Sequence, residues 1–174
     1  VIVFNAGDVD HIFAIKSISK AFTLAMVMEL IGEQGILDKL GAEPTGFPFN
    51  SVLAVEFQKT RVGNPLVNAG AMATASLIKG ENEEEKWNII LDFYSNCANE
   101  KLELMEDVYE SEMATNQHNH AIAWLLDSYG KMYSDPKKSV ALYTKQCSVG
   151  ITSNELATMV ATLAAGGVNP YTGK

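Results

Sequence analysis

Ser17-Ile18-Ser19-Lys20 is the tetrapeptide whose residue types and spacing could do chemistry. It has the form S-x-x-K. On a helix the serine and the lysine lie one turn apart on the same face, within reach of a hydrogen bond. A serine hydroxyl is a poor nucleophile until a neighbour removes its proton. A lysine walled by apolar side chains, for which Ile15, Ile18 and Phe22 are candidates, loses its charge more easily and can be that neighbour. The positive field at the start of a helix stabilises negative charge developing nearby. A plainer reading of the same residues is a serine N-cap and a lysine that reaches solvent. Position favours the chemical one. The pair opens a helix that is apolar nearly all round, where a cation needs a reason.

That helix is predicted over residues 17–31, closed by Gly32. Ala21, Phe22, Leu24, Ala25, Met26, Val27, Met28 and Leu30 give it no polar face, so it is expected to be a central post buried on every side. Ahead of it, residues 1–4 read as a short strand and residues 11–15 as a second extended piece. Behind it come a Pro- and Gly-rich loop over 43–51, a strand or helix over 52–57, and a small-residue helix over 71–78. The acidic run 81–86 reads as the solvated start of a helix carrying Trp87, Ile90, Leu91, Phe93 and Tyr94. Further helices are predicted over 115–129 and from Asp135-Pro136 to Cys147. A last one is capped by Thr152 and Glu155 as a capping box and ends at Gly166-Gly167.

The 174 residues fit one domain. An apolar share of 47% excludes a disordered chain. With 13 Lys+Arg against 21 Asp+Glu, a net charge of -8, there is no cationic excess to bind nucleic acid. No apolar run reaches the ~18 residues of a membrane span. Two cysteines, Cys97 and Cys147, are too few for a disulfide framework and suit a reducing, cytoplasmic compartment. His118 and His120 lie two apart, on different sides of a helix, and make no metal pair.

Several segments, in order, resemble the serine-dependent glutaminase family. They are Phe13-Ala14-Ile15-Lys16-Ser17-Ile18-Ser19-Lys20, Gly41-Ala42-Glu43-Pro44-Thr45-Gly46 with Phe49-Asn50-Ser51, and Asn64-Pro65-Leu66-Val67-Asn68-Ala69-Gly70-Ala71. Ser111-Glu112 with Asn116 and Asn119, Tyr143-Thr144-Lys145-Gln146-Cys147-Ser148, and Leu163-Ala164-Ala165-Gly166-Gly167-Val168-Asn169-Pro170 continue the series. The resemblance covers essentially the whole chain. It implies an α/β (α+β) fold like that of serine β-lactamases and penicillin-binding proteins, which share the S-x-x-K logic. This chain would be mostly its helical domain plus a short N-terminal strand. Residues 1–16 would start the sheet region, and 17–174 would form a mainly helical subdomain of one incomplete domain.

The resemblance also implies an activity, hydrolysis of L-glutamine to L-glutamate and ammonia through an acyl-serine intermediate. Ser17 matches the nucleophile and Lys20 its base. Asn68, Glu112, Asn119 and Tyr143 match residues that hold the substrate together with Ser17. The chemistry is consistent. An amino acid's ammonium needs an anion, which Glu112 supplies, and its carboxylate needs donors, which Asn68, Asn119 and Tyr143 supply. By residue type alone each has a plainer role: a helix cap for Asn68, a surface carboxylate for Glu112, a solvated position for Asn119, a core ring for Tyr143. No metal or organic cofactor is implied. The partners implied are L-glutamine and further copies of the chain, as a homodimer or homotetramer. Two rivals are another S-x-x-K acyl-serine hydrolase and a non-catalytic helical binding module.

Two departures from the family matter. Lys16 stands where the family commonly has Gln. It is expected either to depress the pKa of Lys20 or to point away without effect. The family also continues past the position of Lys174, supplying a second active-site tyrosine, a K-S-G strand and one oxyanion-hole N–H. The 174 residues alone are therefore expected to be nearly inactive.

Overall fold

A computed structural model describes residues 3–173. Strand β1 (Phe13–Ala14) runs into a 3-10 turn (Lys16–Ile18) and then helix α1 (Ser19–Leu40). Helices α2 (Val52–Phe57), α3 (Asn68–Ser76) and α4 (Glu83–Ala98) follow. Strand β2 (Glu103–Leu104) precedes α5 (Glu106–Ala114), α6 (Gln117–Ser128) and α7 (Pro136–Cys147), and strand β3 (Val149–Ile151) leads to α8 (Ser153–Ala164). The three short strands form one antiparallel sheet in the order β1-β3-β2, with Phe13 opposite Ile151 and Leu104 opposite Val149.

Local chemistry sets the helix starts. Asn82 accepts from the Glu85 N–H, and Glu83, Glu84 and Glu85 fill the positive first turn of α4. Asp135 caps α7, with Pro136 at its first position. Thr152 and Glu155 make the expected capping box on α8. Gly32 ends the first part of α1 with φ +72°, a conformation costly for any other residue. The chain then re-enters helix as far as Leu40, a second segment that the sequence reading does not foresee.

Helix α3, and not α1, is the central post. Every residue of α3 is buried, and it packs against α1, α6 and α7. Its Ala, Gly, Ser and Thr side chains let three helices approach closely. Gly70 does the same for the preceding loop, since a Cβ there would run into the Asn64 carbonyl. Helix α1 buries one face through Phe22, Thr23, Met26 and Val27, but Ala21, Met28 and Leu30 are exposed. Composition cannot show that its other side has no neighbour among the described residues.

The sheet also differs from expectation. The strand read over residues 1–4 falls partly on Val1 and Ile2, outside the described residues, while Val3 and Phe4 are irregular and exposed. A strand needs a neighbour to take its backbone groups, and β3 offers one to β1 instead. The Ile15 N–H continues this pairing onto the Val149 carbonyl at 2.8 Å. Among the described residues, no helix is long and apolar enough to cross a membrane.

Candidate active site

The S-x-x-K segment is held from both sides. The buried Ile15 anchors the chain at the end of β1, and the next three residues make the 3-10 turn that presents Ser17 at the surface. Lys20 lies in the first turn of α1 and points inward, only 5% exposed. The end of α7 arrives beside them because Val149, two residues after Cys147, pairs with β1. A buried polar lattice below fixes this junction. Thr23 Oγ1 lies 2.6 Å from Tyr94 Oη and 2.9 Å from Gln146 Oε1, and Tyr94 donates to the Ser19 carbonyl at 2.8 Å.

Asn68 is the hub of the site. Its Oδ1 accepts from Lys20 Nζ at 2.7 Å and from the Tyr143 hydroxyl at 3.2 Å. Its Nδ2 donates to Asn119 Oδ1 at 3.1 Å. Ser17 acts on Tyr143, working against the rise of its pKa. No hydrogen bond joins Ser17 directly to Lys20; both meet the same Tyr143–Asn68 pair. Ser17, Asn68, Glu112, Asn119 and Tyr143 all line one cavity of about 170 Å³, with Phe49 and Cys147. At ~30 Å³ of liquid per water, that is room for about six waters, well below a drug-sized pocket. A wider depression of about 800 Å³ beside α4, lined by Asp92, Lys101 and Asn169, contains none of these residues.

Burial holds the pKa of Lys20 below the usual lysine value, with Cys147 working in the opposite direction. Of the three residues expected to wall the amine, Ile15 and Phe22 are buried and Ile18 is not. The Phe49 and Tyr143 rings face Nζ at 5.6 and 6.0 Å. The rings keep water away while their faces remain attractive to a cation. Burial, with Cys147 next in weight, raises the pKa of Tyr143, so its hydroxyl keeps its proton. Burial also pushes up the Cys147 thiol, which rules it out as an activated nucleophile.

Lys16 does neither of the things expected of it. Its Nζ pairs with Glu112 Oε1 at 2.6 Å, and it is not among the causes of the Lys20 shift. The sequence reading also missed Cys147 as a cavity residue, although it follows Tyr143 by four positions on one helix, a spacing that puts two side chains on one face. Helix α5, which carries Glu112, was not foreseen at all.

The family model for glutaminases matches residues 2–174. The chain belongs to the glutaminase family. A glutaminase of Brucella canis is 56% identical over 171 residues, covering 98% of this chain and 54% of the relative. A glutaminase of Colwellia psychrerythraea is 52% identical, covering 99% of this chain and 55% of the relative. The chain thus spans about half the length of these relatives. Among solved structures, the probable glutaminase ybaS superimposes with a TM-score of 0.94 at 53% identity, covering 97% of this chain and 55% of the other. A structure of Mglu in its glutamate form has a TM-score of 0.87 at 35% identity, covering 97% and 39%. The fold is therefore that of the glutaminases, the β-lactamase-like class, as the S-x-x-K resemblance implied.

Proposed function

We propose that the full-length protein hydrolyses L-glutamine to L-glutamate and ammonia through an acyl-serine intermediate. The observation that carries this reading is the convergence on one small cavity of Ser17, Asn68, Glu112, Asn119 and Tyr143, with Lys20 buried behind Asn68. Neutral Lys20, which shares Asn68 Oδ1 with the Tyr143 hydroxyl, takes the Ser17 proton. Ser17 Oγ then bonds to the side-chain amide carbon. The C–N bond breaks, and the leaving nitrogen takes the proton back and departs as ammonia. Water then adds to the acyl carbon and gives its proton to the base, the bond from that carbon to Ser17 Oγ breaks, Oγ takes the proton, and glutamate leaves.

Glu112 would face the substrate's α-ammonium, and the Asn68–Asn119–Tyr143 group its carboxylate. The small cavity suits a free amino acid better than a glutamine inside a peptide, and the glutamate form of Mglu is consistent with such a ligand. Residues 17–174 would supply the helical part of one domain, whose sheet begins at β1. The free, buried Cys97 and Cys147 agree with a reducing cytoplasmic setting. A homodimer or homotetramer follows from the family resemblance alone.

The test is ammonia release from L-glutamine and L-asparagine by the full-length protein and its S17A variant. We expect glutamine to be preferred, since asparagine is one methylene short, and S17A to lose at least about 1000-fold in kcat. Turnover unaffected by S17A would end the acyl-serine reading. Labelling of Ser17 by a fluorescent penicillin, without glutamine hydrolysis, would favour the rival hydrolase.

A further inference from the structure

Lys16 has no part in the chemistry above, yet it occupies a costly position in the site. It immediately precedes Ser17, and its φ of +52° lies in the left-handed region that side-chain-bearing residues avoid. Its Nζ reaches Glu112, 96 residues away, at 2.6 Å, and both side chains are about half exposed, 52% and 49%. Both also line the site cavity. Among the described residues, Glu112 is the only acidic one in that lining and Lys16 the only cationic one.

We propose that Lys16 is a specificity-determining residue that competes with the substrate's α-ammonium for Glu112. This deepens the reading of the site given above and rests on it. An ammonium entering the cavity finds a carboxylate already paired with an ammonium. It must displace Lys16 or share a neutralised partner, and either course weakens its hold. The pair is partly solvated, so the competition is modest. It acts on binding and not on the reacting carbon, so it raises KM and leaves kcat alone.

The experiment is steady-state ammonia release by the full-length wild-type protein and the K16Q, K16N and K16R variants. Each is measured on L-glutamine and on glutaramate, which keeps the amide and the carboxylate but lacks the α-amino group. K16Q should lower KM for glutamine roughly two- to five-fold with kcat unchanged. K16R should match the wild type, and no variant should change KM for glutaramate. K16N keeps the test open should K16Q fold poorly, because Asn tolerates the left-handed backbone. An unchanged or higher KM for glutamine in K16Q and K16N would overturn the proposal, as would an equal gain on both substrates. In those cases glutamine hydrolysis by the wild type still stands. Failure of the wild type to hydrolyse glutamine would overturn both readings.

Discussion

At the scale of single residues, the site depends on an amine removed from water and an amide that serves it on one side and its neighbours on the other. Lys20 is buried, and desolvation disfavours its charged form. Asn68 Oδ1 can accept from either the ammonium or the neutral amine, so it holds Nζ in place through a change of charge. In the mechanism we propose, the working form is the neutral amine. The sign is therefore fixed: kcat/KM rises as pH passes up through the lowered pKa and levels off above it. We expect this limb below the ordinary lysine range of ~10.4. A pH–rate profile of the full-length enzyme checks it, and a flat profile from pH 6 to 9 would remove Lys20 from the role of base.

At the scale of elements, the site depends on how α3 is seated against α1 and the loop before it. Asn68 can reach Lys20 because α3 begins at Asn68 and lies directly against α1. Gly70, in the first turn of α3 at the site end, abuts the Asn64 carbonyl and the Pro65 backbone. In G70A the new methyl meets backbone on a crowded side, and helix propensity favouring Ala cannot offset that. We expect a loss of about 2–4 kcal/mol, read from urea or thermal unfolding. A G70A protein as stable as the wild type would mean that α3 can shift without cost.

At the scale of the whole molecule, the chain spans about half the length of its relatives while holding six of the residues matched to the family's site. β1, which leads directly into the Ser17 turn, is an edge strand of the described sheet. The resemblance implies that an oxyanion donor and a second tyrosine come from the part of the relatives' length that this chain does not span. Loss of one such donor costs ~100–1000-fold. We therefore expect the isolated 174-residue chain to release ammonia from glutamine at least ~100-fold more slowly than the full-length protein. Comparable rates would show that the site described here is self-sufficient.

The residues themselves determined whatever is local in the chain. Ser17 and Lys20 sit one turn apart, and the caps at Thr152 and Asp135 act over three residues, so spacing alone announces them. The boundaries of α7 were legible for the same reason. Tertiary structure decided which helix lies at the centre, because burial depends on neighbours that hydropathy cannot name; α1 carries the larger apolar side chains, yet it is α3, with its small residues, that is buried along its whole length. It also decided the bonds of the site. Asn68 meets Lys20, Asn119 and Tyr143 across 48, 51 and 75 residues, and Lys16 meets Glu112 across 96. No periodicity reaches over such distances, so only the packed chain could turn Lys16 from a cation beside a serine into the partner of a carboxylate.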